Sequence, residues 1–204
     1  MIERKITSAN ADDEQLKRLY QTAFPENEQI PWDDLMRLIG EMSLDFTAYY
    51  DGDAFIGFTI VYPRPSFNRR NSESNAEQVR ELPSRDGGRQ KVNWYWYFAV
   101  REDLRGKGLG QQILTQLIER YKGQRCVLDM ESPEQNPCPN PEQRQRRHAF
   151  YLRNGFRDTH VYRKYDDTEM TIMMMGDDTL AFTIEDWDEI TAELKQHWNW
   201  EEKQ

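Results

Sequence analysis

The chain has 204 residues, of which 37% are hydrophobic and 31% charged, so it can build one well-solvated domain of moderate size. Its formal net charge of −9 and its pI of about 5.0 argue against broad binding to nucleic acid or to anionic membranes. Two cysteines, Cys126 and Cys138, are too few for a disulfide framework and lack metal-binding spacing. We therefore expect no metal site. No signal segment or transmembrane run is visible, so we expect a cytoplasmic protein.

The N-terminal part of the chain predicts a short strand and two amphipathic helices. Residues 2–6 form the strand, and Asp12 or Asp13 can cap the first helix. Pro25 ends that helix, because proline cannot continue the hydrogen-bond ladder. Pro31 opens the second helix, since its fixed backbone angle suits the first helical position.

A strand hairpin and a long polar segment follow. Strands over 46–50 and 55–62 flank Asp51-Gly52-Asp53, a sequence typical of a hairpin turn. The stretch 63–91 is polar and has no clear periodicity, so we predict a long loop between two core strands.

A strand, a glycine-rich turn and a helix come next. The aromatic run 92–100 is typical of a buried strand, and apolar residues recur at helical spacing from Leu109 to Tyr121. Between them stands Arg105-Gly106-Lys107-Gly108-Leu109-Gly110. Backbone N–H groups at such a helix start, with the two basic side chains, predict a phosphate or pyrophosphate site. The alternative interpretation is a helix start capped by glycine.

Two common phosphate-loop patterns do not fit this turn. In the dinucleotide pattern G-x-G-x-x-G, the third glycine would fall on Gln111. The Walker A pattern G-x-x-x-x-G-K-[ST] fails because no Gly-Lys-Ser/Thr follows at the right distance. A nucleotide-binding protein of either class is therefore disfavoured, and the remaining pattern is R-x-x-G-x-G.

The rest of the chain alternates strands and helices. It predicts a strand (125–130), a loop (131–139), a helix from Pro141 to the Asn154-Gly155 turn, two strands (156–165 and 169–175) and a C-terminal helix (183–198). Asn140 and Gln143 would cap the start of the Pro141 helix as a capping box. The pattern predicts one domain over 1–204 with an α/β (α+β) fold, a mixed sheet and helices on both faces.

A second motif lies downstream of the glycine-rich turn and helps to interpret it. Residues Ala149 to Phe156 fit A-x-Y-x-x-x-G-F, in which a helix presents Tyr151 and then turns into a strand. Together with R-x-x-G-x-G, in the same order along the chain, this motif resembles the GNAT superfamily of N-acyltransferases. The resemblance covers about 46–175. It implies the GNAT fold, a mostly antiparallel sheet whose middle strands splay apart, and the use of acetyl-CoA as co-substrate.

The resemblance also implies positions for the cofactor. The pantetheine arm would enter between the splayed strands and pair with the backbone of Phe98, Ala99 and Val100. The pyrophosphate would lie on Arg105, Gly106, Lys107, Gly108, Leu109 and Gly110. Many relatives have an asparagine seven residues before the tyrosine, and Arg144 stands at that position here. We interpret Arg144, Arg146 and Arg147 as a solvated helix face, with a contact to a CoA phosphate as the alternative.

Two residues are candidates for proton transfer. Tyr151 would protonate the leaving thiolate, and its alternative role is that of a core tyrosine with its hydroxyl at the surface. Glu131, just past a predicted strand, would deprotonate the attacking ammonium through water. An acidic residue at such a position is more often a solvated loop charge or a cap, and that alternative stays open.

The resemblance predicts an N-acetyltransferase that transfers the acetyl group directly to a primary amine. The acceptor is a small molecule or a peptide amine, with no nucleic acid or membrane partner, and relatives of this kind are commonly homodimers. A binding or regulatory module that holds acyl-CoA without turnover is the alternative function.

Overall fold

The computed structural model describes residues 1–63, 92–176 and 181–198. These residues contain one seven-stranded sheet with strand order β1-β2-β3-β4-β5-β7-β6. The strands are β1 (Ile2–Lys5), β2 (Asp45–Asp51), β3 (Ala54–Tyr62), β4 (Val92–Val100), β5 (Arg125–Glu131), β6 (Arg157–Tyr165) and β7 (Thr168–Met175). The helices are α1 (Glu14–Ala23), α2 (Trp32–Glu41), α3 (Leu109–Arg120), α4 (Pro141–Arg153) and α5 (Ile184–His197). The loop predicted at 63–91 lies, apart from Pro63, outside the described residues.

Helices cover both faces of the sheet, as the sequence predicts. On the first face, α1, α2 and α5 contribute residues such as Leu16, Leu35 and Trp187 to the larger hydrophobic cluster. On the second face, α3 and α4 contribute Leu117 and Tyr151 to a separate cluster. The amphipathic stripes of the helices thus bury both sides of the sheet, as a layered α/β architecture requires.

The two middle strands, β4 and β5, are the parallel pair in an otherwise antiparallel sheet. Their pairing is short and covers Val92 with Arg125, Asn93 with Cys126, and Trp94 with Val127. Beyond Trp94 each strand pairs with its outer neighbour, β4 with β3 and β5 with β7. The strands therefore diverge and leave an opening in the sheet, which confirms the predicted splay.

A β-bulge in β4 changes which side chains face this opening. Ile60 pairs with Tyr97 and Val61 with Tyr95, so Trp96 is the extra residue between them. Because of the bulge, Trp96 and Tyr97 both pack against the cluster of the first face, instead of alternating. The first face of the opening consequently has an aromatic wall.

Side chains connect the two strands where they separate. The Asn93 side-chain amide donates to the Gln124 side-chain oxygen (2.9 Å) at the closed end. Farther along, Trp94 Nε1 donates to Asp129 Oδ1 across the opening (2.9 Å). Burial raises the pKa of the Asp129 carboxyl to about 6, and the bond from Trp94 opposes this rise.

Among the helices of the described residues, none combines the length and apolar character needed to cross a lipid bilayer.

The raised pKa of Asp129 predicts a pH dependence of stability. Between about pH 4 and 6 the folded protein holds a proton that the unfolded chain has released, so stability falls as the pH rises through that window. Asp129→Asn is neutral at every pH and keeps an oxygen for Trp94. The quantity to compare is the free energy of unfolding of Asp129→Asn minus that of the wild type. We expect this difference to be larger at pH 8 than at pH 4.5, by on the order of 1–2 kcal/mol.

Urea unfolding at both pH values measures this difference. Asp53→Asn, in the exposed β2–β3 turn, removes one carboxylate from the surface and is the control. An Asp129→Asn protein that loses stability at pH 8 would mean that the ionised carboxylate stabilises the fold.

Candidate active site

A cavity of about 1030 Å³ fills the opening between β4 and β5. Its walls come from both faces of the sheet. From the second face they include Arg105, Gly106, Gly110, Gln143, Arg146, Arg147, Phe150 and Tyr151. From the first face and the opening they include Phe24, Glu28, Trp94, Trp96, Tyr97, Asp129, Glu131, Trp187 and Asp188. One continuous space therefore joins the start of α3 to the first face of the sheet.

The glycine-rich turn leads directly into α3 through two glycines with positive φ angles. Gly106 and Gly108 have φ angles of +75° and +78°, which glycine adopts without strain. Gln112 N–H donates to the Gly108 carbonyl (3.1 Å), so the N–H groups of Leu109 and Gly110 precede the helical ladder. With the helix dipole, this end of α3 has the donors and the field that favour an anion.

The predicted pantetheine strand also borders the cavity. Phe98, Ala99 and Val100 pair with β3 along one edge, and their other edge faces the opening. Gly57 permits this pairing, because a Cβ there would collide with the Ala99 carbonyl oxygen. Arg105 Nε donates to the Val100 carbonyl (3.2 Å), which places the guanidinium over the end of β4.

The second motif forms the end of α4. Phe156 N–H donates to the Tyr151 carbonyl (3.2 Å) as the chain turns through Gly155, whose φ is +89°. The side-chain amides of Asn154 and Gln111 bond to each other at 2.5 and 3.1 Å. This pair ties the end of α4 to the first turn of α3, so it fixes Tyr151 relative to the glycine-rich turn.

Tyr151 lies deep in the cavity wall. It is 9% exposed, and no described residue makes a hydrogen bond with its hydroxyl. Burial raises its pKa to about 12, although the charge of Arg147 opposes the rise. The hydroxyl therefore keeps its proton at neutral pH and is available to a ligand.

Glu131 lines the cavity, but its carboxylate is held by arginines. Arg144 donates to Glu131 Oε1 (2.8 Å), and Arg147 lies 3.7 Å from Oε2. Arg144 also donates to the side chains of Gln135 (2.7 Å) and Asn140 (2.8 Å). These bonds connect the loop after β5 to α4.

This network corrects two predictions. Arg144 is 2% exposed, so its interpretation as part of a solvated helix face was wrong, whereas Arg146 is solvated. Asn140 does not cap α4 with its side chain, because its oxygen accepts from Arg144 instead. The predicted capping box with Gln143 is consequently not formed.

Sequence reasoning missed Glu28 and Asp129, which both line the cavity. Glu28 ends a short 3-10 helix (Glu26–Glu28), a turn too short to give a periodic signal. Burial, together with the charges of Glu131 and Asp129, raises the pKa of Glu28 to about 7, while Arg147 and Arg144 oppose the rise. A carboxyl with a pKa in this range can exchange a proton at neutral pH.

Several solved structures share this architecture. A protein assigned to the GNAT acetyltransferase family from Bacteroides thetaiotaomicron has a TM-score of 0.66 and 21% identity, covering 96% of this chain and 97% of its own. The ribosomal-protein-S18-alanine N-acetyltransferase from Escherichia coli has a TM-score of 0.54 and 16% identity, covering 89% and 99%. An aminoglycoside 6′-N-acetyltransferase complexed with coenzyme A has a TM-score of 0.57 and 14% identity, covering 85% and 96%. These likenesses show a common fold.

Sequence comparison gives the family. A search of individual curated protein sequences found no match to the chain. The sequence pattern of the acetyltransferase (GNAT) family matches residues 14–156, which make up most of the chain and include both motifs. The chain therefore belongs to the GNAT family of acetyltransferases.

Proposed function

We propose that the protein transfers an acetyl group from acetyl-CoA to a primary amine by direct attack. The observation that carries this proposal is the cavity through the sheet, which joins the donor-rich start of α3 to the hydroxyl of Tyr151 and to the first face. A thioester held from the second face could meet an amine that enters from the first face.

The site fits acetyl-CoA through groups of the chain itself. The N–H groups at the start of α3, with Arg105 and Lys107, would hold the pyrophosphate. The free edge of β4 at Phe98, Ala99 and Val100 would bond to the pantetheine amides, as an added strand does. Apolar side chains of α4, such as Phe150, would cover the arm.

The chemical step needs two contributions from the protein. As the amine nitrogen attacks the thioester carbon, negative charge develops on the carbonyl oxygen, and a backbone N–H near Val100 would stabilise it. When the C–S bond breaks, the Tyr151 hydroxyl would donate its proton to the sulfur. Because Tyr151 is a weaker acid than a thiol, hydrogen bonding to the departing sulfur is its main contribution before the proton moves.

Glu131 remains a candidate base, but its ion pairs favour a positioning role. Its carboxylate is paired with Arg144 at 2.8 Å and lies 3.7 Å from Arg147, so both oxygens are engaged by arginines of α4. In the proposed reaction, Glu131 keeps the loop after β5 against α4 and contributes negative charge to the cavity.

The first test of the proposed function concerns Gly108. Valine at φ +78° is strained, so Gly108→Val should reshape the turn and lower acetyl-CoA affinity at least tenfold by calorimetry. Gly123→Val is a matched control, because Gly123 has φ +77° beyond the other end of α3. Both variants should lose about 1–3 kcal/mol of stability, and the control should keep its affinity. Equal affinities in both variants would place the pyrophosphate elsewhere.

The second test removes the Tyr151 hydroxyl. Tyr151→Phe keeps the ring and should lower the rate of thiol release by roughly ten- to ten-thousand-fold, with acetyl-CoA affinity nearly unchanged. Tyr121→Phe is the control, since that hydroxyl bonds to Asp45 (2.8 Å) away from the cavity. Full turnover by Tyr151→Phe would make its hydroxyl structural. A wild-type protein that binds acetyl-CoA but releases no thiol with any amine would favour the binding module.

A further inference from the structure

We infer that the first-face half of the cavity is a subsite for a monoamine cation with an aromatic or apolar body, and that Glu28 accepts the proton of its ammonium group. This inference rests on the proposed function. It is carried by four features of the described residues: an aromatic wall, an anchored glutamate, a second carboxyl group and a basic rim.

The aromatic wall is stacked and partly open to the cavity. Trp94 and Trp96 stack at 4.9 Å between ring centroids, and Trp96 and Tyr97 at 5.0 Å. Trp187 meets Trp94 edge-on at 5.3 Å, which supports the stack from α5. Trp96 is half-buried and lines the cavity, so its ring can contact the body of a ligand. Such a wall favours an apolar body and also attracts a cation through its π face.

Glu28 is held beside this wall by the core. Tyr97 donates its hydroxyl proton to the Glu28 carbonyl (2.6 Å), a bond made possible by the bulge that turns Tyr97 to the first face. Tyr20 bonds to the carbonyl of Ile30 (3.0 Å) and accepts from its N–H (2.8 Å). Gln29 Nε2 donates to the Phe24 carbonyl (2.6 Å). Four side-chain bonds thus fix the segment that carries Glu28.

Glu28 and Asp129 give the subsite its negative charge. Asp129 is oriented by Trp94, and neither carboxyl group is held in an ion pair among the described residues, in contrast to Glu131. No described group of three His, Cys, Asp or Glu side chains is arranged to hold a metal ion. Two cavity-lining carboxyl groups that form no ion pair with a described residue suit an ammonium group. The Tyr151 side chain lines the same space, and its hydroxyl, unpartnered among the described residues, marks where the thioester would lie.

The outer rim carries the opposite charge. Lys164 and Lys195 are exposed and line the cavity mouth, and Arg163 is paired with Asp188 there. Cations at the rim repel a ligand with several positive charges, and the inner carboxylates repel one with a carboxylate beside its amine. The subsite consequently selects a monoamine over a polyamine or an α-amino acid.

The proton balance is complete with these groups. The ammonium gives one proton to the Glu28 carboxylate, and the neutral nitrogen then forms the C–N bond as the C–S bond breaks. The sulfur takes the Tyr151 proton, and the second proton of the nitrogen restores Tyr151. Glu28 passes its proton to solvent, so each turnover yields amide, CoA thiol and one proton.

The experiment compares acceptors and variants by thiol release. With 2-phenylethylamine as the probe, we expect kcat/KM at least tenfold above the values for phenylalanine and spermidine. Glu28→Gln should lower kcat/KM for this probe by roughly a hundred- to ten-thousand-fold and leave acetyl-CoA affinity unchanged, while Glu28→Asp recovers part of the loss. Glu26→Gln, on the same 3-10 helix but exposed and outside the cavity lining, is the matched control and should behave as the wild type.

The pH profile gives a second readout. Charged and titratable groups on four elements interact with the charge of Glu28. They are Tyr97 on β4, Asp129 and Glu131 on β5, Arg144 and Arg147 on α4, and Tyr165 on β6. With the wild type, kcat/KM should rise with pH through about 7 as Glu28 ionises, and this inflection should be absent from Glu28→Gln.

The outcomes separate this inference from the proposed function. Full activity of Glu28→Gln with an unchanged pH profile overturns the role of Glu28. Equal or better turnover of spermidine or phenylalanine overturns the monoamine subsite. Either result leaves acetyl transfer standing, whereas a wild-type protein that neither binds acetyl-CoA nor releases thiol overturns both.

Discussion

The site depends on the short length over which β4 and β5 pair. Parallel strands normally share evenly spaced hydrogen bonds along their length, but here the pairing ends at Trp94 and Val127. Each strand then keeps only its outer neighbour, so the backbone groups along the inner edges need other partners. The proposed pantetheine arm, with its amide groups, would supply them.

The opening is also where polar groups are kept from bulk water. Asp129 bonds to Trp94 across it, and Tyr151 is buried in its wall. Burial raises the pKa of both groups, and Tyr151 keeps its proton at neutral pH. The Gln111–Asn154 pair and the Arg144 network fix the second face, as the tyrosine hydroxyls fix the segment of Glu28 on the first. These bonds hold both sides of the cavity in which we propose that the substrates meet.

The fold could be predicted from local signals, because these depend on near neighbours in sequence. The signals are the helical periodicity, the prolines and glycines that mark helix ends and turns, and the two motifs. The features that were missed depend on distant contacts. The bulge at Trp96 is invisible because an unbroken aromatic run shows no alternation to interrupt. The charged neighbours of Arg144 in sequence indicate a solvated helix face. Its actual partner, Glu131, lies across a loop, so the sequence does not reveal the pair. Glu28 gained significance only when the fold placed it against Tyr97.

A crystal structure of the protein with acetyl-CoA would show directly whether the cofactor occupies the opening between β4 and β5. We expect the pyrophosphate to lie on the N–H groups at the start of α3 and the pantetheine to pair with β4 at Phe98 to Val100. The thioester sulfur should then lie within about 3–4 Å of the Tyr151 hydroxyl, as a donor to that atom requires. Acetyl-CoA bound outside the opening between β4 and β5, or with its sulfur remote from Tyr151, would rule out the proposed site and the role of Tyr151.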